Sequence, residues 1–408
     1  MVNLKDLTAM DALDFPLTLA REGSVEFYIP KVEGLKRRGP GTAKIPVFYN
    51  PAMELNRDLA VLFLKAVNLI RQVKSACEPM AGCGVRGIRF AVEVEGIEKV
   101  VMNDLNPRAV RLAKLNVEKA GVQGKVQVFN FDAEELLCRY SAPGERFDYV
   151  DLDPYGSPIP YLDSALRAVR LGGFLALTAT DMPLLCGAAP KPCLRRYGAK
   201  PLRTEYCHEL AARILIGSAV RLAARRDLAL KPVFTHASDH YVRVYFQLLK
   251  GGSRADEVLS WLGLVYHCSK CLNRTLVKGL KPPQPALKCE CGKPLEPAGP
   301  LWLGGLWSLK LVEAMLNQLP KASLGQFKAA SRLLERVREE AQMESPTYYT
   351  VDRLAEKYGG LPPSPAEMVK VLRAEGFKAS LTHFNPQSFR TSAPHRVVVE
   401  AFRRLSQN

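Results

Sequence analysis

From about residue 73 onward, short apolar runs alternate with longer stretches of helical spacing, the rhythm of a sheet with parallel strands. Strands are predicted at Val73–Glu78, Val100-Val101-Met102, Val126–Phe129 and Phe147–Leu152. A fifth is predicted over Gly173–Ala179, then a long helix over Cys207–Ala224, then strands over Leu228–His236 and Tyr241–Leu249. The count is about seven, the number of an α/β, Rossmann-like sheet. Ahead of it, Pro46–Pro51 is held extended by its two prolines, and Met53 to Ile70 has helical apolar spacing with Arg57 near its start. Residues 1–45 show no clear period and carry a Lys36-Arg37-Arg38 cluster.

Beyond about Pro300 the pattern changes. Helical spacing recurs at Leu309–Leu319, Gly325–Ala341, Val351–Tyr358 and Pro365–Glu375. Phe377–Phe384 alternates and suits a strand, and Val397–Leu405 reads as a strand that turns helical. Helices followed by a β-wing resemble a winged-helix module. The expected division is 1–252 for the sheet domain and its N-terminal extension, 253–299 for a cysteine-bearing segment, and 300–408 for a C-terminal α+β domain.

Chemistry concentrates at the predicted strand ends. The first strand opens into Glu78-Pro79-Met80-Ala81-Gly82-Cys83-Gly84-Val85-Arg86-Gly87, which sets Gly-x-Gly-x-x-Gly between strand and helix. Residues without a Cβ let the backbone approach a ligand there. Asp104 ends the second strand, where an acid grips ribose hydroxyls. Glu78 before the glycines, with no phosphate-binding lysine, favours S-adenosylmethionine over a dinucleotide. Asp132-Ala133 follows the third strand, where adenine contacts fall. The fourth strand breaks at Asp153-Pro154, because proline cannot continue a ladder. A carboxylate leaving a sheet beside Tyr155 is suited to an amino-bearing base, the acid accepting from the NH₂ and the ring stacking on the base. The plain alternative is a Pro-Gly turn with Asp153 as a cap; the glycine loop and Asp104 decide for chemistry.

Charge extends this picture. The chain carries a formal net charge of +16. Residues 1–185 hold 23 basic and 23 acidic side chains, while the remainder holds 34 basic and 18 acidic, so the whole excess lies in the second half. A neutral half beside a basic half suits a small molecule on one and a polyanion on the other. Lys191–Arg203, with five basic residues, one aromatic and no acid, is expected to grip phosphate near the site, the alternative being a solvated basic loop. No apolar run reaches membrane-spanning length and no signal sequence is evident, so an intracellular, cytoplasmic protein is expected.

Ten cysteines in such a chain point to metal or buried thiols before disulfides. Cys268-x₂-Cys271 and Cys289-x-Cys291 can supply four sulfurs to one structural zinc, since the Lys281-Pro282-Pro283-Gln284-Pro285 stretch between them is too polar to build its own core. Cys186, Cys193 and Cys207, beside His208, are read as small buried hydrophobes.

These residues together resemble the tRNA guanine-26 N2-dimethyltransferases. The resemblance rests on Val47–Pro51 with Leu55–Asp58, Gly84–Phe90, Asp151–Pro158, Thr178–Asp181, Pro201–Arg203, Cys207-His208-Glu209 and Thr382–Pro386. It implies a class I methyltransferase domain, a C-terminal tRNA-binding domain, cofactor contacts from Arg57, Arg86, Asp104, Asp132 and Ala133, and a catalytic Asp153. Glu78, Gly82 and Gly84 join the cofactor set from the loop reading. The expected reaction places one or two methyl groups on N2 of a flipped guanine 26, with Pro154 turning the chain, Tyr155 stacking on one face and Phe48 on the other. Tyr155 stands where many relatives have Phe, and Cys83 where others have a small or hydroxyl residue. An adenine-N6 DNA methyltransferase of the same fold and a non-catalytic RNA-binding scaffold are the rivals. A monomer is the expected state.

Overall fold

The structure, a computed structural model, describes residues 13–31, 45–238, 240–279, 287–343 and 345–406. The Lys36-Arg37-Arg38 cluster and the Lys281–Pro285 stretch lie outside the described residues.

The first elements among the described residues form a hairpin that periodicity did not reveal, β1 (Leu17–Glu22) paired with β2 (Val25–Pro30) about Gly23 at φ +56°. Helix α1 (Glu54–Asn68) follows, its Leu59–Leu64 run fully buried. The sheet strands are β3 (Ser75–Glu78), β4 (Lys99–Asn103), β5 (Val126–Phe129), β6 (Phe147–Leu152), β7 (Val169–Ala179), β8 (Leu228–Ser238) and β9 (Tyr241–Lys250). The crossover helices are α2 (Val85–Glu93), α3 (Pro107–Lys119), α4 (Ala133–Arg139) and α5 (Leu162–Ala168). The sheet order is β5-β4-β3-β6-β7-β9-β8, with β8 antiparallel to β9. All seven predicted strands are present. β3 starts two residues later than expected, and β7 starts earlier, at Val169.

That order contains the feature that places a ligand. The chain winds outward from β3 to β5, then returns to β6 on the other side of β3. Open parallel sheets bind ligands at such a reversal, outside the carboxyl ends of the two strands. Ala76 pairs with Tyr149 and Cys77 with Val150, so Glu78 and Asp151 come next, followed by Asp153.

Two compact units are built from this chain. The first comprises residues up to Pro154 with Tyr161–Leu177 and Glu313–Leu334. Its core includes Phe63, Phe90, Tyr149 and Phe174, whose rings meet edge-on or tilted at 5.6 to 6.2 Å. The second comprises Tyr155–Pro160, Thr178–Val312 and the residues from Glu335 onward. It holds α6 (Met182–Leu185), α7 (Pro190–Tyr197), α8 (Cys207–Ala224) and a sheet of β10 (Leu262–His267), β11 (Arg274–Lys278) and β12 (Glu296–Trp302) in the order β11-β10-β12. A further sheet, β13-β15-β14, is formed by β13 (Tyr349–Thr350), β14 (Ala379–Leu381) and β15 (Ser388–Thr391). Around it lie α9 (Val351–Tyr358), α10 (Pro365–Ala374) and α11 (His395–Ser406).

Three expectations are corrected here. Lys191–Arg203 is not simply a loop: Pro190 starts helix α7, closed by Gly198 at φ +61°. Val397–Leu405 has no strand. Its three valines fall within α11, where Val398, Val399, Ala401 and Phe402 are buried on one face. The strand expected over Phe377–Phe384 keeps only Ala379–Leu381, and its partner Ser388–Thr391 was unforeseen. Among the described residues, no helix is long and apolar enough to cross a membrane.

Candidate functional site

The glycine loop is built for close approach. Gly82 and Gly84 take left-handed φ of +55° and +81°. Gly87 serves packing, since a Cβ there would come within 2.4 Å of Met102 Sδ on β4. Asp104 accepts from the Gly82 N–H at 2.8 Å through Oδ2 and from the Asn106 N–H at 2.9 Å through Oδ1. The carboxylate therefore clasps the loop and, with about four lone-pair sites, retains capacity for ribose hydroxyls. Asp132 caps α4, accepting from the Glu134 and Glu135 N–H groups, and Ala133, the first residue of that helix, is buried.

At the reversal of strand order, one guanidinium gathers three acids. Arg86, 3% exposed, lies 3.2 Å from Glu78, 3.5 Å from Asp151 and in a short contact with Asp153. It also donates to Asn56 Oδ1 at 2.8 Å. The Tyr149 hydroxyl donates to Asp151 at 2.7 Å. Asp151 is fully buried, whereas the Asp153 side chain is 15% exposed, so Asp153 is the more accessible acid. Glu78 also accepts from the Gly87 N–H. Burial pushes Glu78 up to about 8 against the pull of Arg86, with the Asp151 charge adding to the rise.

A second buried network carries residues that sequence reasoning passed over. Glu22, at the end of β1, accepts from Arg57 Nε at 2.7 Å and from the Tyr49 hydroxyl at 2.9 Å. Its carboxyl is held below the usual range because Arg57 and Arg89 together outweigh its burial. Arg89 pairs with Asp58 at 2.7 Å, and burial raises Asp58 to about 6 even so. Arg57, expected at the cofactor, is thus anchored by Glu22 and by the Asn50 carbonyl. An isolated Glu in an aperiodic N-terminal segment gave no signal for this. Phe48, between the buried Val47 and Tyr49, is 47% exposed.

In the second unit, Tyr155 is 82% exposed. The turn behind it is pinned reciprocally: the Gly156 N–H donates to Thr180 Oγ1 at 2.7 Å, and the Thr180 N–H donates to the Gly156 carbonyl at 2.9 Å. Gly156 takes φ +95°, which a side chain would strain. Asp181 accepts from the Tyr197 hydroxyl at 2.6 Å and lies 3.3 Å from Arg196, which ties α7 to this strand end. Lys191, Arg195, Arg196, Lys200 and Arg203 are all exposed.

The four predicted zinc ligands come together. Cys268 Sγ lies 3.5 Å from Cys291 Sγ, Cys271 Sγ lies 3.4 Å from Cys289 Sγ, and all four sulfurs lie within 4.8 Å of one another. Tetrahedral zinc with bonds near 2.3 Å would set its sulfurs about 3.8 Å apart, so the donors fit in kind, number and spacing. Leu272 joins the apolar core of the C-terminal sheet, and the Tyr358 hydroxyl donates to the Cys271 carbonyl at 2.8 Å. Cys193 is fully buried as expected of a small hydrophobe, but Cys186 and Cys207 are only half-buried.

The sequence model of a family described as N2,N2-dimethylguanosine tRNA methyltransferase matches residues 23–403. A tRNA (guanine(26)-N(2))-dimethyltransferase of Methanothermobacter thermautotrophicus is 37% identical over 376 residues, 91% of this chain and 95% of that protein. A tRNA (guanine(26)-N(2)/guanine(27)-N(2))-dimethyltransferase of Aquifex aeolicus is 34% identical over 395 residues, 95% of this chain and 96% of that protein. Among solved structures, Trm1 from Pyrococcus horikoshii in complex with S-adenosyl-L-methionine matches with a TM-score of 0.83 at 34% identity, covering 94% of this chain and 99% of that one.

Proposed function

The chain belongs to the N2,N2-dimethylguanosine tRNA methyltransferase family, and we propose that it transfers one or two methyl groups from S-adenosylmethionine to the exocyclic N2 of guanine 26 in tRNA. The observation that carries the chemistry is Asp153, a partly exposed acid just past the carboxyl end of β6 and anchored by Arg86. When bound, the cofactor supplies an electrophilic methyl group on a sulfonium. Asp104 would hold its ribose hydroxyls, Asp132 and Ala133 its adenine side, and Gly82 and Gly84 would admit it close to the backbone. Arg57, Arg86 and Glu78 complete the expected cofactor set, acting at the least by holding the acids and the loop in place.

Guanine N2 is a weak nucleophile because its lone pair is delocalised into the ring. Asp153 would accept a hydrogen bond from the NH₂, favour its pyramidal form and take the proton as N2 gains the methyl group and the sulfonium leaves as a neutral thioether. Arg86, itself held by Asn56, fixes Asp153 in one orientation, which lowers the entropy cost of alignment. Tyr155 would stack on the flipped guanine and Pro154 set the turn that presents it; Phe48 is proposed as a second ring. The exposed cations of Lys191–Arg203 would contact phosphates, and the segment from Pro300 onward is proposed as the tRNA-binding, winged-helix-like domain. The domain limits 1–252, 253–299 and 300–408, a structural zinc on Cys268, Cys271, Cys289 and Cys291, a monomeric state and a cytoplasmic location belong to the same proposal.

The test is nucleoside analysis of a tRNA transcript after incubation with labelled cofactor. N2-methylated guanosine should form, and should disappear when position 26 is changed to adenosine. Asp153→Asn should cut turnover by roughly 10²- to 10⁴-fold, the span of a lost general base, with cofactor affinity little changed. Label on adenine, or none with intact cofactor binding, would favour a rival. Normal turnover by Asp153→Asn with loss in Asp151→Asn would move the role to Asp151.

A further inference from the structure

Two thiols and an imidazole converge where α6 ends and α8 begins. Cys186 Sγ, Cys207 Sγ and a ring nitrogen of His208 lie within 4.8 Å of one another. All three residues are half-buried, reachable by a small ion yet shielded from bulk water. Cys207 is the first residue of an 18-residue helix. A helix N-terminus favours negative charge, which suits a sulfur that binds a cation.

A second observation points the same way. The Glu205 side chain is 2% exposed and pairs with Arg274 at 3.3 Å through Oε1, while its Oε2 has no hydrogen-bond partner among the described residues. Thr204 Oγ1 and the hydroxyl of the buried Tyr348 are in the same condition. Thr204 and Glu205 precede Cys207 by three and two residues. Buried polar atoms in folded proteins are usually paired, and the unpartnered oxygens of Thr204 and Glu205 just ahead of Cys207 are suited to a bound water.

We propose that Cys186, Cys207 and His208 form a second zinc site, separate from the four-cysteine cluster, whose fourth position takes a water that Glu205 Oε2 hydrogen-bonds. Two thiolates and an imidazole are a zinc donor set that leaves one exchangeable position. Two thiolates balance the charge of the dication, and a carboxylate just outside the ligands is a common partner of such sites. Zinc would bring the three donors to within about 3.8 Å of one another, so shifts on the order of 1 Å suffice. Plain space-filling by thiols accounts for Cys193, which is fully buried, but not for a half-exposed cluster beside an unpartnered carboxylate oxygen. The ion would tie the segment that follows Thr180 and Asp181 to the start of α8, and so steady the partner of the Gly156 turn.

The test uses the full chain, purified with reductant and without chelator. Elemental analysis should find about two zinc ions per chain, falling to about one in Cys186→Ser, in Cys207→Ser and, independently, in Cys289→Ser. Should a variant fail to fold, alkylation of the unaltered protein decides: Cys186 and Cys207 should resist iodoacetamide until a chelator is added. The proposal is overturned by a single zinc that survives Cys186→Ser and Cys207→Ser, by both thiols alkylating in zinc-replete protein, or by recovery of a Cys186–Cys207 disulfide peptide. A count that falls in Cys207→Ser but not in Cys289→Ser keeps this site and overturns the four-cysteine one.

Discussion

Arg390 offers the sharpest test of how the second unit is held together. It is 1% exposed on β15 and reaches Glu209 at 2.8 and 3.1 Å, Glu340 at 3.1 Å and the Ser345 carbonyl at 2.6 Å. Arg213 lies 2.8 Å from the same Glu209, and His383 lies 2.6 Å from Glu340. Burial alone would raise the Glu209 carboxyl, but Arg390 and Arg213 bring it down to about 2 from an ordinary 4.5. Glu340 is lowered too, against its burial, by His383 and Arg390. A depressed acid adds stability that is fully present above its unfolded pKa and is lost as pH falls towards the folded one. For Glu209 that window runs from about 4.5 down to about 2, and the stability at stake is on the order of 3 kcal/mol.

Arg390→Met should therefore destabilise this unit by about 3–5 kcal/mol at pH 7, because two buried carboxylates lose their shared cation. Near pH 4 the variant's carboxylates take up protons while Glu209 beside Arg390 stays ionised, so the gap should narrow by about 1–2 kcal/mol without closing. Urea unfolding followed by tryptophan fluorescence reads the right part of the molecule, since Trp261, Trp302 and Trp307 all belong to the second unit. A gap of equal size at pH 7 and pH 4 would refute the electrostatic account and leave packing as the role of Arg390.

Four further outcomes are expected. Asp104→Ala should weaken S-adenosylmethionine binding by about tenfold or more in calorimetry, since the loop clasp and the ribose acceptor go together; tRNA affinity should hold, and unchanged cofactor affinity would dismiss the assignment. Thr180→Val, which removes the acceptor of the Gly156 N–H, should lower kcat by roughly tenfold with little effect on cofactor KM, and Thr180→Ser should restore it; full activity of the valine variant would separate the turn from the chemistry. Cys289→Ser should lose the zinc of the four-cysteine cluster and loosen the β10–β12 sheet in hydrogen exchange, whereas unaltered protection would make that metal dispensable. Binding of tRNA should weaken steeply with added salt, because the excess charge lies after residue 185; a flat response between 50 and 200 mM would place recognition elsewhere.

Much of this protein was legible along the chain, for a common reason. The strands β3 to β9, the Gly82–Gly87 loop, the break at Asp153-Pro154 and the Cys-x₂-Cys and Cys-x-Cys pairs are all written in spacing over a few residues. Apolar alternation, missing Cβ atoms and a proline without an N–H act locally, so their consequences can be read locally. What lay beyond reach were pairings between distant charges. Arg390 and Glu209 are 181 residues apart, Arg86 and Asp153 are 67 apart, and Glu22 finds Arg57 across 35. Nothing near Glu22 marks it as a buried acid; only the packing of β1 against its neighbours makes it one. The valines of Val397–Val399 show the converse, a local preference for strand overruled once one face of α11 is buried. Cys207-His208-Glu209 shows both halves at once. Its position at the start of α8 followed from the helical period, whereas the partners of Cys207 and Glu209 come from segments that only the folded chain brings beside them.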